Sequence, residues 1–128
     1  REIGTQREHE MQYWPMFLRG TDDLAGCCGL RPHDPASRVY ELGVHVRRVH
    51  WGKGLAHEAS EAVIAHAFRD RGASALFAGH HPQNAVSERL LVRLGFRRTH
   101  EELYRPTGLM HPSYRLGAPQ PRAVRRGS

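Results

Sequence analysis

The stretch Val44-His45-Val46-Arg47-Arg48-Val49-His50-Trp51-Gly52-Lys53-Gly54-Leu55-Ala56 decides the reading of this chain. Val44 and Val46 alternate with His45 and Arg47, the period of a strand. Two glycines come next, and the residues beyond them are spaced as a helix. Glycine allows close backbone approach and left-handed angles. The first turn of a helix offers unpaired N–H groups and a partial positive charge. A strand, a glycine turn and a helix start in that order form an anion cradle suited to a phosphate or pyrophosphate. Arg47, Arg48 and Lys53 add full positive charge around it. This turn is read as the cofactor site and the remaining chain as its support.

The helix leaving the turn is predicted over Lys53 to Arg71. Ala56, Ala59, Ser60, Val63, Ile64, Ala67 and Phe68 fall on one stripe, and Gly72 supplies the stop. Upstream, Met11–Arg19, Leu24–Leu30 and Val39–Arg47 read as three strands of an antiparallel meander. Turns fall at Gly20–Asp23 and Pro32–Ser37. Pro15 marks the first strand as an edge or a bulge. Downstream come an apolar strand at Ala73–Gly79, a loop at His80–Gln83 and a second helix at Ala85–Leu94. Asn84 caps that helix and Gly95 ends it. Two further strands, Phe96–Arg105 and Met110–Leu116, flank a Pro106-Thr107-Gly108 turn. The order βββ-α-β-α-ββ predicts a mixed α/β sheet architecture. Arg1–Glu10 is expected to end a helix begun further upstream.

The 128 residues suffice for one domain, expected at 1–116. A net charge of +6 suits a polyphosphate ligand, nucleic acid or an acidic partner. Arg122, Arg125 and Arg126 lie in the segment 117–128, rich in Pro, Gly and Arg and expected to be a disordered basic tail. Most of the charge is therefore read as solubilising surface plus tail. No apolar run approaches the ~20 residues of a membrane span, so no membrane partner is expected. Adjacent Cys27 and Cys28 cannot build a disulfide framework, which points to a reducing, cytoplasmic setting. The ten histidines lack the spacing of a zinc site, and no metal is expected. The chain opens on Arg1 without a secretory signal, and is expected to be a fragment or a processed form.

A second motif runs Asn84-Ala-Val-Ser87-Glu-Arg-Leu90-Leu91-Val-Arg-Leu94-Gly95-Phe96. Asn84 and Ser87 share one face at the helix start. The glycine turn is not a Walker A loop, because Gly54 follows Lys53 where Ser or Thr is required. It is not a Rossmann fingerprint either, because His57 occupies the third glycine position. With one strand between the two motifs, the chain resembles the GNAT superfamily of CoA-dependent N-acetyltransferases, and within it the RimJ/RimL-like branch. Trp51-Gly-Lys-Gly-Leu-Ala-His-Glu-Ala59 matches that branch's pyrophosphate loop. Asn84-x-x-Ser87 through Leu94-Gly95-Phe96 matches its second CoA motif. The likeness covers Leu24 to Leu116.

The resemblance implies a GNAT-like acyltransferase fold with acetyl-CoA as co-substrate. The amides of Val49, His50, Trp51, Gly52, Lys53, Gly54 and Leu55 would hold the pyrophosphate, with Ala56 at the helix start. The main chain of His45, Val46 and Arg47 would pair with the pantetheine arm, and the His45 amide would face the thioester oxygen as an oxyanion donor. Asn84 would bond the pantetheine and Ser87 would lie near the sulfur as candidate acid. Glu41, which alternates with Gly43 and His45 on one face, is the first choice of base, acting directly or through water. The His45 side chain is a further candidate base. Glu101, Glu102 and Tyr104 are also candidates, although Tyr104 is expected in the core. Leu91 stands where many relatives carry a Tyr acid, and Val49 where they carry Gln or Arg.

The family's opening strand and two helices, which shape the acceptor site, are absent from this sequence, so the fold is expected to be N-terminally truncated. The exposed edge at Met11–Arg19 invites pairing with another chain, including a second copy as a homodimer. The expected activity is acetyl transfer to a primary amine by direct attack in a ternary complex. The branch favours a protein N-terminus over an amino acid, a polyamine or an aminoglycoside. The rival readings are a non-catalytic CoA-binding or dimerisation module and a basic nucleic-acid-binding domain. The second lacks aromatic residues interleaved with basic ones.

Overall fold

The computed structural model describes residues 12–18 and 20–119. Expectations for Arg1–Glu10, for Met11 and Arg19 at the strand ends, and for the tail beyond Pro119 lie outside the described residues. The elements are β1 (Gln12–Phe17), β2 (Leu24–Asp34), β3 (Val39–Val46), α1 (Leu55–Arg69), β4 (Ala75–Gly79), α2 (Ala85–Arg93), β5 (Arg97–Tyr104) and β6 (Leu109–Gly117). Their order matches the sequence reading. The six strands form one sheet in the order β1-β2-β3-β4-β6-β5. Pro15 sits in the edge strand β1, where a missing N–H costs no ladder bond on the open side.

One face of the sheet carries the core. Cys28 and Leu30 of β2, Leu42 of β3, Leu76 and Ala78 of β4 and Tyr114 of β6 pack with Val63 and Ala67 of α1, Leu91 of α2 and Phe96. The helical stripe read from sequence is the buried face of α1: Ser60, Val63 and Ala67 are buried, and Ala59, Ile64 and Phe68 pack against them. Strand alternation turns Arg31, Glu41 and Phe77 to the opposite face.

Boundaries differ where backbone angles decide them. The first helix starts at Leu55 and not Lys53, because Gly52 (φ 83°) and Gly54 (φ 76°) are left-handed and Gly54 is the N-cap. β2 runs through Pro32 to Asp34, past the expected turn. Pro32 faces Tyr40 across the ladder, and the irregularity between Pro32 and Asp34 absorbs the ring.

The topology opens the sheet in one place. β3 and β4 are parallel and share three rungs, Val39–Ala75, Tyr40–Leu76 and Glu41–Phe77. Beyond Glu41, β3 stays with β2 as far as the Gly26–Val46 rung, and β4 stays with β6 as far as Gly79–Ser113. The two strands part at this point, leaving the outer half of β3 without a neighbouring strand on that side among the described residues.

Candidate functional site

The glycine turn carries the donors expected of it. A 3-10 turn at Arg48–His50 leads out of β3, with the His50 N–H on Arg47 O (2.8 Å) and the Trp51 N–H on Arg48 O (3.0 Å). The first bond of α1 is Glu58 N–H to Gly54 O, at 3.0 Å. Among the described residues, none of the amides from Gly52 to His57 has a hydrogen-bond partner. They are the orphan donors of a helix start, extended backwards by the left-handed glycines. An added Cβ at Gly52 or Gly54 would meet nothing within 4 Å, so no other part of the described chain packs on the turn.

This turn forms one wall of a cleft of about 430 Å³. Of the expected cofactor residues, His45, Val46, His50, Trp51, Gly52, Gly54, Leu55, Ala56, Asn84 and Ser87 line it together. Arg47, Val49 and Lys53 do not. Arg47 instead donates its side chain to Leu24 O (3.0 Å), and Lys53 turns back to His50 (3.2 Å). Arg89 and Arg93, one turn apart on α2, also line the cleft and were given no role by the sequence reading. Their i, i+4 spacing on the motif helix was the available signal. Among the described residues no carboxylate lines the cleft. Free amides, a helix N-terminus and two guanidinium groups fit a phosphorylated ligand.

The outer half of β3 offers main-chain groups to the same cleft. The Arg47 N–H bonds Ala25 O (2.7 Å), whereas Val46 O faces away from β2 and accepts the Trp51 indole N–H (2.8 Å). In an antiparallel ladder only alternate residues bond across. His45 and Arg47 therefore turn their amides to β2, and Val44 and Val46 turn theirs to the opening. Asn84 works as the N-cap, its Oδ1 accepting the Ser87 N–H at 3.0 Å, which leaves its side-chain NH₂ available at the cleft.

Glu41 does not reach this cleft. It lines a second cavity of about 370 Å³ with Arg31, Phe77, His80, Tyr104 and His111. Glu41 Oε1 accepts from Arg31 Nη2 (2.7 Å) and Nε (3.2 Å). That hydrogen bond and the carboxylate charge raise the Arg31 pKa. Tyr104 is half exposed beside this cavity and not in the core. Glu102 lines it as well, but Glu101 does not. The sequence reading missed the imidazoles here. His80 is buried, with Nδ1 on His81 O (2.7 Å) and Nε2 on the Tyr114 hydroxyl (3.2 Å). The His111 pKa is lowered by desolvation and by His81 and His80. Among the described residues no group of three His, Cys, Asp or Glu is placed to hold a metal ion, and no helix is long and apolar enough to cross a membrane.

The family model for the acetyltransferase (GNAT) domain matches residues 2–97. The chain belongs to the GNAT family. Its member from Bacillus licheniformis, the uncharacterized N-acetyltransferase p20, is 31% identical over 91 residues, covering 71% of this chain and 51% of that protein. This GNAT chain spans about half the length of the curated relatives it matches. The yncA protein of Salmonella typhimurium, solved with its cofactor acetyl-CoA, superposes with a TM-score of 0.66 at 28% identity, over 80% of this chain and 62% of that one. The ribosomal-protein-S5-alanine acetyltransferase of Vibrio fischeri shares the fold, with a TM-score of 0.74 at 17% identity over 82% of this chain and 60% of that one.

Proposed function

We propose that this GNAT chain binds acetyl-CoA in the cleft between the glycine turn and α2 and supports acetyl transfer to a primary amine. The observation that carries the reading is the run of amides from Gly52 to His57, unpartnered among the described residues, of which Gly52, Gly54, Leu55, Ala56 and His57 line a cleft with no carboxylate among its described lining. Acetyl-CoA supplies an activated thioester. The Gly52–His57 amides take its diphosphate, and Arg89 and Arg93 add charge for its phosphates. The Val44 and Val46 groups pair with the pantetheine arm in the place of the missing strand. One of these two amides is the donor to the thioester oxygen, in place of the bonded His45 amide. The Asn84 NH₂ anchors the pantetheine and Ser87 stands near the sulfur, able to give the leaving thiolate a proton.

The acceptor amine enters from the second cavity, on the other side of the strand opening. Glu41 borders that cavity at the last shared rung, with one carboxylate oxygen left free by Arg31. It accepts the ammonium proton, directly or through water, and no covalent enzyme intermediate is needed. A protein N-terminus is the favoured acceptor, from the likeness to the RimJ/RimL-like branch and the activity for which the Vibrio fischeri neighbour is named. The setting is cytoplasmic.

The test is a panel of N-terminal peptides, amino acids, polyamines and aminoglycosides, assayed with acetyl-CoA by thiol release. Turnover on an amine with first-order dependence on enzyme supports the reading. Tight CoA binding with no turnover on any amine would leave the rival, a non-catalytic CoA-binding or dimerisation module.

A further inference from the structure

The glycine turn has few bonds of its own. Trp51 is held by its amide on Arg48 O and its indole N–H on Val46 O, and Arg48 lies 5.2 Å over the indole ring. From Gly52 to Gly54 no backbone N–H is bonded among the described residues, and nothing packs above either glycine. Two left-handed glycines lose more conformational entropy on ordering than other residues. A side chain that braces such a turn limits that loss.

The brace is His50. It is 6% exposed, the most buried residue of the turn. Its Nδ1 lies 3.2 Å from Lys53 Nζ. An ammonium can only donate, so Nδ1 accepts and the ring proton sits on Nε2. Nε2 lies 3.1 Å from Asp23 Oδ2. That contact is close enough for electrostatic attraction but off line for a hydrogen bond, so among the described residues Nε2 has no aligned partner. Asp23 belongs to the β1–β2 turn and is fixed there. Its N–H bonds Thr21 Oγ1 (3.0 Å) and its carbonyl accepts the Leu18 N–H (3.1 Å).

We infer that His50 is the positioning residue of the glycine turn: its buried imidazole holds Lys53 on one side and meets Asp23 on the other, fixing the Gly52–Gly54 amides in the outward orientation that a diphosphate requires. The ring ties the two ends of the turn to each other and to a neighbouring strand connection. His50 acts through backbone groups and performs no proton transfer. The consequence for binding rests on the acetyl-CoA reading, but the fixing of the turn does not.

The test compares the wild-type chain with His50→Leu, His50→Gln and Lys53→Met. Amide order parameters from NMR relaxation report on the turn without ligand. Wild-type Gly52 and Gly54 are expected near the rigid value of about 0.85, falling below about 0.6 in His50→Leu and Lys53→Met. Gln can accept from Lys53 and donate toward Asp23, so His50→Gln recovers the rigid values. Affinity for CoA by calorimetry is expected to fall at least about tenfold in His50→Leu and to stay within about threefold in His50→Gln, a tenfold change corresponding to about 1.4 kcal/mol. Pantetheine, which lacks the diphosphate, binds all variants alike by NMR titration. Unchanged order parameters in Lys53→Met, or equal losses for CoA and pantetheine, would overturn the inference. Loosened amides with no CoA binding even by the wild type would instead sink the acetyl-CoA reading and leave the positioning role standing.

Discussion

Glu41 of β3 stands opposite Phe77 of β4, and that rung is the last the two strands share. The cleft exists because the pairing stops there. Past Glu41 the Val44 and Val46 main chain has no strand beside it on one side among the described residues, and the glycine turn and α2 close a cleft over the gap. A backbone edge left unpaired inside a sheet is a template for an extended ligand. The carboxylate at the last rung borders the second cavity and not this cleft, so in the proposed reading donor and acceptor reach the opening from different sides.

Gly54→Val separates folding from binding. The residue sits at φ 76°, where a β-branched side chain is strained, but no atom lies within 4 Å of its Cβ position. The strain costs about 1–2 kcal/mol. Thermal unfolding is expected to show a modest drop, while CoA affinity falls beyond measurement because the side chain turns the amides away from the diphosphate. Unchanged affinity by calorimetry would remove the turn as the binding site.

Gly26→Ala tests the register of β3. An added Cβ would overlap the His45 carbonyl oxygen and stand 2.9 Å from His45 C and Val46 Cα, all backbone atoms. β3 must move or the strands must separate, at about 1–3 kcal/mol. Urea unfolding is expected to show that loss. CoA affinity weakens with it, because the displaced residues line the cleft.

Glu41→Gln lowers turnover and spares CoA. The Arg31–Glu41 pair is partly exposed, with Glu41 at 25% and Arg31 at 52%, so its loss costs under about 1 kcal/mol of stability. Turnover on the best amine is expected to fall at least about a hundredfold, the range of a general base, with the CoA dissociation constant unchanged. A wild-type rate across the pH range would remove Glu41 as the base.

Cys28 gives a pH prediction. Burial pushes its thiol from 9.0 up to about 11. The folded state therefore holds the proton more tightly than the unfolded state. Its contribution is fully present below pH 9 and is lost as pH rises through about 11. Urea unfolding at pH 8 and pH 11 is expected to show a loss that is smaller in Cys28→Ala by on the order of 2–3 kcal/mol; Tyr114, whose pKa burial also raises, contributes in both. Cys27, partly exposed, is expected to react with a thiol reagent in the native state while Cys28 does not.

Much of the fold and of the cleft was legible in the sequence because it is local. The 3.6-residue stripe from Ala56 to Phe68, the Asn84 cap and the paired glycines each declare their structure within a few positions. The resemblance to the GNAT motifs places Asn84 and Ser87 with Gly52 and Gly54, and the fold brings all four to one cleft. The illegible part depends on partners distant in sequence. The bonding of Arg47 to Ala25 decides which β3 amides are free, and alternation read from β3 alone cannot fix that choice. The sequence assigns the His50 amide to the pyrophosphate turn but gives no sign that its side chain meets Asp23, from a different turn. Tyr104 was expected in the core, but the sheet face it occupies carries no helix among the described residues.

In the proposed mode of binding, main-chain donors at the start of α1 hold the diphosphate of acetyl-CoA. The most direct measurement is a ¹H–¹⁵N titration of the chain with CoA. The largest shifts are predicted at the amides of Gly52, Lys53, Gly54, Leu55 and Ala56, with smaller ones at Val44, Val46 and Asn84. Saturable binding that leaves the Gly52–Ala56 amides unmoved and shifts residues of the second cavity would contradict the claim.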